Sequence, residues 1–153
     1  MNRYYRYQYK LNTSHSTNND EMKSHNHTFI IYLVMSQVDK DTILRYEDYE
    51  KVEREIDAYF IQYTKVYLNE MSIFKDRIPT IETMGEVFYE QLKIRLEEHG
   101  VALLQLEIGE SPVRFYIISD CILIPSQYSG DSLKNWEALL ERKEKLCKIS
   151  KGR

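Results

Sequence analysis

The chain has 153 residues, 42% of them hydrophobic and 29% charged, enough apolar material for one domain with a buried core. A net charge of −3, with its 21 Lys and Arg spread along the chain, gives no basic footprint for nucleic acid. The longest apolar run, residues 29–35, is only as long as a strand; a membrane helix needs roughly 20 apolar residues, and with no signal-peptide h-region at the N-terminus a cytoplasmic protein is expected.

Tyr5, Tyr7, Tyr9 and Leu11 alternate with Arg6, Gln8 and Lys10, the period of a strand with one face on a core, so residues 3–11 are expected to form the first strand. Residues 12–23 are rich in Ser, Thr, Asn and Asp, which compete for backbone hydrogen bonds, and read as an irregular loop with His15 near its start. From His25 to Ser36, β-branched and aromatic residues predict a second strand, antiparallel to the first. Val52, Ile56, Tyr59, Phe60 and Tyr63 then form an apolar stripe opposite a charged face, a helix over about 47–62. Pro79-Thr80 announces a second helix with Thr80 as N-cap, Met84, Val87, Phe88 and Leu92 as its stripe, and Gly100 as its left-handed stop. His99 falls in the last turn of that helix, where a cation complements the dipole. Two strands over residues 102–109 and 113–124 complete the order ββααββ, and an amphipathic stretch over 131–148, with Trp136, Leu139, Leu140 and Leu146, reads as a C-terminal helix.

The chemistry centres on Ser24-His25-Asn26-His27-Thr28-Phe29. In a strand, positions i and i+2 share a face, so His25 and His27 present two imidazoles on one side of the sheet. If the first two strands form a hairpin, the loop brings His15 near them as a third ligand. Three histidines with an open fourth position describe a catalytic zinc site rather than a structural one. The competing reading is a solvated histidine pair on the surface. Cys121 and Cys147 are too few and too far apart for a disulfide framework or a cysteine metal site.

His15 after strand one, His25-x-His27 on strand two, Pro79-Thr80-Ile81-Glu82 opening helix two and Leu106-Glu107-Ile108-Gly109-Glu110-Ser111-Pro112 between the last strands follow one another in a known order. Together they resemble the 6-pyruvoyltetrahydropterin synthase and 6-carboxytetrahydropterin synthase family over about residues 4–123. The resemblance implies an α+β T-fold, ββααββ, with a four-stranded antiparallel sheet and two helices on one face. It implies a pterin synthase-like domain at 1–125, leaving 126–153 as a helical extension, and edge-to-edge assembly into trimers and a homohexamer with sites between subunits. The family's zinc ligands correspond to His15, His25 and His27, and its pterin-anchoring glutamate to Glu110. A carboxylate suits that role because it accepts two parallel hydrogen bonds from a 2-aminopterin edge. Glu107 ranks second, because the strand period puts it on the face opposite Leu106 and Ile108.

The resemblance breaks where the family keeps its acid–base groups. A cysteine is expected shortly before the H-x-H, yet Glu21 and Asn19 stand there. An Asp-His pair is expected where Thr64 and Lys65 stand, within Tyr63-Thr64-Lys65-Val66-Tyr67-Leu68-Asn69. Glu21 could serve as base if burial poised it, with Lys65 or Tyr67 supplying the proton. Alternatively zinc acts alone on the side-chain hydroxyls, or a pterin or purine-like ligand is bound without turnover. The leading expectation is a zinc-dependent lyase acting on 7,8-dihydroneopterin triphosphate, of the 6-carboxytetrahydropterin synthase type that serves the queuosine and 7-deazaguanine pathway.

Overall fold

The computed structural model describes residues 3–18, 20–39 and 43–120. Contacts divide the chain into two compact units, residues 1–118 and 119–153. Nearly all of the second lies outside the described residues, and with it the expected C-terminal helix, both cysteines and the end of the fourth strand.

Strand β1 spans Tyr5–His15, β2 His25–Gln37, β3 Val101–Ser111 and β4 Arg114–Ser119, with helices α1 (Tyr46–Phe60) and α2 (Ile81–Glu97) between β2 and β3. They form a four-stranded sheet in the order β1-β2-β3-β4, in which β1 pairs antiparallel with β2 and β2 with β3. The T-fold order expected from the sequence is therefore present. One sheet face carries Leu11, Phe29, Ile31, Leu33, Leu106 and Ile108, all buried in one cluster with Val52, Ile56 and Phe60 of α1 and Met84, Phe88 and Leu92 of α2. Each such side chain removed from water contributes about 1.5–3 kcal/mol. The register of β2 on β3 shifts between Val34 and Met35, a bulge that keeps Met35 and Leu103 on the core face.

The N-terminal tyrosines lie beneath α1. Tyr9 stacks on Phe60 at 4.5 Å, Tyr5 tilts against Tyr49 at 5.2 Å, and the Tyr7 hydroxyl donates to Asp57 at 3.4 Å. Beyond Phe60 the chain tightens into a 3-10 turn, Ile61–Tyr63, so the α-helix ends two residues before the expected end at 62. Thr80 caps α2 by accepting from the Thr83 N–H, and Gly100 follows the helix with φ 73°.

Strand β1 runs four residues past its expected end and carries His15 inside the sheet. Asn12, Thr13 and Ser14 look like loop residues because they can satisfy a backbone locally. Here they stay extended because both sides of the strand are paired: β2 on one side, and on the other Lys65 N–H to the Asn12 carbonyl at 2.8 Å and Ser14 N–H to the Val66 carbonyl at 3.0 Å.

Candidate active site

The return from β1 to β2 sets the site. The Asn18 side-chain oxygen accepts from Asp20 N–H, and the Asp20 carboxylate caps Met22 N–H of a single 3-10 turn, Glu21–Lys23. The chain thereby re-enters the sheet in a register that puts His15 opposite His25 and Thr13 opposite His27. All three imidazoles then lie on the core face, continuing the row Phe29, Ile31, Leu33 to the end of the sheet. Ring centroids are 5.0 Å apart for His15 and His25, 5.2 Å for His15 and His27, and 4.5 Å for His25 and His27. Phe29 forms the floor, 5.3 Å from His15 and 5.5 Å from His27.

One nitrogen of each of the three rings lies within 4.8 Å of the others. His15, fully buried, has Nδ1 at 2.7 Å from the Pro79 carbonyl, and His25, at the exposed rim, has Nδ1 at 3.1 Å from the Lys23 carbonyl. A carbonyl can only accept, so both Nδ1 atoms carry a proton, and in the neutral ring the lone pair is left on Nε2. A carbonyl on the far nitrogen of the ring in this way orients metal-binding histidines. The Nε2 atoms of His15 and His27 are buried and have no hydrogen-bond partner. Burial pushes the His27 imidazole below its ordinary pKa, and the neighbouring His25 and His15 push the same way, while the Glu110 charge opposes them. The shift favours the neutral ring, the form a ligand must take. A buried set of convergent, unsatisfied imidazole nitrogens fits a divalent metal with a preference for nitrogen donors.

Behind His15 stands a clamp that the residues alone do not announce. The Asn69 carboxamide accepts from Ser16 N–H and donates to the Ser16 carbonyl, both at 2.9 Å, and the hydroxyls of Tyr67 and Ser16 meet at 2.8 Å. The Val66 carbonyl also accepts from the Thr13 and Ser14 hydroxyls, at 2.9 and 3.0 Å. Leu68, fully buried, anchors this segment in the core. The signal in the sequence was the survival of Val66-Tyr67-Leu68-Asn69 after an altered Thr64-Lys65. The second missed partner is the Pro79 carbonyl, just ahead of the N-cap of α2.

Glu110, at the end of β3, lies on the same face with Oε1 3.6 Å from His15 Nε2. Glu107 faces the other side of the sheet, buried, and accepts from Gln105 Nε2 at 2.8 Å. Lys65 and His27 line one open pocket of about 350 Å³ together with Asn12, Thr13, Ser14, Asn26 and Thr28. Lys65 holds this place with φ 56°, a left-handed conformation that a lysine adopts at some cost. Glu21 is exposed on the 3-10 turn, and no hydrogen bond or ion pair joins its carboxylate to the three histidines among the described residues. His99 stands apart, with Nε2 3.6 Å from Glu55 Oε2.

The sequence model of a family described as 6-pyruvoyl tetrahydropterin synthase matches residues 4–121. The chain belongs to the 6-pyruvoyl tetrahydropterin synthase family. Among solved structures, the 6-pyruvoyl tetrahydropterin synthase of Caenorhabditis elegans is similar with a TM-score of 0.61 and 16% identity, covering 76% of this chain and 94% of that one. The Plasmodium falciparum 6-pyruvoyl tetrahydropterin synthase has a TM-score of 0.50 and 12% identity, covering 76% and 98%. A Plasmodium vivax 6-pyruvoyltetrahydropterin synthase, in a variant that replaces a catalytic glutamate with alanine, has a TM-score of 0.50 and 11% identity over the same shares, 76% and 98%. At such identities these likenesses establish the T-fold. No curated protein matches the chain by sequence. Membership of the 6-pyruvoyl tetrahydropterin synthase family supports a pterin-metabolising lyase, and no helix among the described residues is long and apolar enough to cross a membrane.

Proposed function

We propose that this chain is a zinc-dependent lyase of the 6-carboxytetrahydropterin synthase type, cytoplasmic, acting on 7,8-dihydroneopterin triphosphate in the queuosine and 7-deazaguanine pathway. The observation that carries the reading is the pair of buried, partnerless Nε2 atoms of His15 and His27, in a ring of three imidazoles within 4.8 Å. His15, His25 and His27 would hold the ion, which when bound lowers the pKa of the hydroxyls that it contacts on the substrate side chain. Glu110 would accept from the 2-aminopterin edge and fix the register of the ring. Lys65, in the pocket that His27 also lines, would deliver a proton to the side chain undergoing cleavage.

Glu21 would be the base. That a glutamate is named as a catalytic residue in the Plasmodium vivax synthase supports a carboxylate in this role. Its exposure in the single chain favours a second reading, a T-fold protein that binds a pterin or purine-like ligand without turnover. In the first reading the site is completed between subunits of a trimer or hexamer, where a neighbouring copy would bury the carboxylate.

The deciding experiment incubates zinc-loaded protein with 7,8-dihydroneopterin triphosphate and identifies products by mass spectrometry, with His27→Ala as blank and Glu21→Gln alongside. A new pterin absent from the His27→Ala blank supports the lyase. Unchanged substrate with zinc bound supports the binding protein, and full turnover by Glu21→Gln removes Glu21 as base.

A further inference from the structure

We propose that the open pocket beside His27, built around Lys65, is a phosphate subsite, placed to hold the phosphorylated end of a ligand whose other end reaches the three histidines. The pocket measures about 350 Å³, and its lining holds one lysine, Lys65, two carboxamides, Asn12 and Asn26, and no carboxylate. A lysine brings three donors and no acceptor, so the pocket repels a metal ion and suits a guest that is anionic and accepts. The Thr13 and Ser14 hydroxyls are committed to the Val66 carbonyl, at 2.9 and 3.0 Å, and Thr28 donates its proton to Asn12 Oδ1 at 2.6 Å. Asn12 Nδ2, the Asn26 carboxamide and Lys65 Nζ engage no described side chain and are the donors left for a guest. They stand on three separate segments, β1, β2 and the segment at 65–67. A carboxylate offers two oxygens in one plane, whereas the terminal oxygens of a phosphate, set around a tetrahedron, answer three directions, and a lysine serves phosphate as a point charge.

The backbone fixes Lys65 at this place. Its N–H donates to the Asn12 carbonyl at 2.8 Å, and the Thr64 hydroxyl donates to the Phe60 carbonyl at 3.1 Å, so the segment is tied to β1 and to the end of α1. Between these ties Lys65 takes φ 56°, a conformation that asparagine or glycine adopts more easily, and strain of this kind collects where a side chain has a task. The charge also continues along the strand. Arg6, Lys10 and Asn12 share one face of β1, with Lys10 roughly 7 Å from Asn12 along the chain and Arg6 lying over the Tyr32 ring at 3.8 Å. The one carboxylate on that face of the described strands, Glu107, is buried and accepts from Gln105. A basic lane leading into the pocket suits several linked phosphates. The subsite stands without the pterin reading. Only the identity of the occupant, the phosphates of 7,8-dihydroneopterin triphosphate, rests on that reading, and both roles then given to Lys65 need its charged ammonium.

The test titrates the full chain, with and without added zinc, with inorganic tripolyphosphate by calorimetry at one ionic strength. Wild type is compared with Lys65→Asn, Lys65→Arg, Asn12→Ala and, as a control outside the pocket, Lys75→Asn at an exposed position. Lys65→Asn should lower the affinity about tenfold or more and Asn12→Ala about threefold, while Lys65→Arg keeps most of it. Because asparagine suits the left-handed backbone, the urea midpoint of Lys65→Asn should not fall, which separates lost binding from lost fold. No binding by wild type, or an equal loss in Lys75→Asn, overturns the inference, since affinity would then be absent or follow net charge alone. Binding that requires zinc and survives Lys65→Asn also overturns it, because the metal then holds the phosphate. Displacement of bound tripolyphosphate by 7,8-dihydroneopterin triphosphate, and not by 7,8-dihydroneopterin, supports the substrate's phosphates as the occupant; displacement by neither overturns that assignment. A chain that binds tripolyphosphate through Lys65 yet leaves the pterin unchanged keeps the subsite and loses the lyase, and turnover without such binding does the reverse.

Discussion

The Asn69 carboxamide holds both backbone groups of Ser16, the residue that follows the deepest histidine, and so controls where the chain turns out of β1. His15 cannot be positioned by its own packing alone, since its ring must keep Nδ1 on the Pro79 carbonyl while Nε2 faces inward. Replacing Asn69 with Ala leaves a partly buried N–H and carbonyl without their partner, which costs about 1–3 kcal/mol. Chemical denaturation of the metal-free protein should show a loss of that size. Zinc affinity should fall about tenfold or more, because a chain no longer held at Ser16 lets the adjacent His15 ring drift. Asn69→Asp still accepts from Ser16 N–H but cannot donate to the carbonyl, so it should sit between the two. An Asn69→Ala protein with wild-type stability and zinc affinity would show that the clamp is dispensable.

At the scale of elements, α1 and α2 are joined by polar atoms as well as by their apolar stripes. Gln91 Oε1 accepts from the hydroxyls of Tyr59 at 2.8 Å and Tyr63 at 3.1 Å, and the two hydroxyls are themselves 3.4 Å apart. Burial pushes both phenols above their ordinary pKa of 10.0. The folded state thus binds these protons more tightly than the unfolded chain does. Their contribution is complete below pH 10 and is lost as the pH rises beyond it, when the unfolded phenols ionise first. The urea midpoint should hold up to about pH 10 and then decline, and the decline should be shallower in a Tyr59→Phe, Tyr63→Phe double variant, which keeps the rings without the hydroxyls; an equally steep decline in that variant would contradict this. The helices were legible because Val52, Ile56, Phe60 and Met84, Phe88, Leu92 keep a period that only a helix satisfies. The join at residues 61–74 was not legible, because its 3-10 turns are held by long-range partners such as Asn12 and Ser16. For the same reason the pairing of His15 with His25 could be expected from a hairpin, while the carbonyls of Pro79 and Lys23 that fix the tautomers could not.

For the whole molecule, the sheet leaves a long edge on β1. Segment 65–67 covers only its end, by the Lys65 to Asn12 and Ser14 to Val66 bonds, and no described strand pairs with the outer side of Tyr5–Leu11. An unpaired edge of this length is a template for another chain, and a soluble protein that keeps one commonly uses it. The proposed trimer or hexamer would form there. Strand geometry says which residues would bond a neighbour: Asn12 and Ser14 direct their backbone groups outward, and an antiparallel ladder alternates, so Arg6, Gln8 and Lys10 do too. Gln8→Pro therefore removes one outward N–H without breaking a backbone bond to β2, giving up only the exposed side-chain bond from Gln8 Nε2 to the Tyr32 hydroxyl, and an edge strand is a setting in which proline is tolerated. Sedimentation should find the wild type as a trimer or hexamer and Gln8→Pro as a smaller species with unchanged circular dichroism. Gln8→Pro at the wild-type mass would move the interface away from this edge. A wild-type monomer would remove the intersubunit site, and with it the burial that Glu21 needs to act as a base.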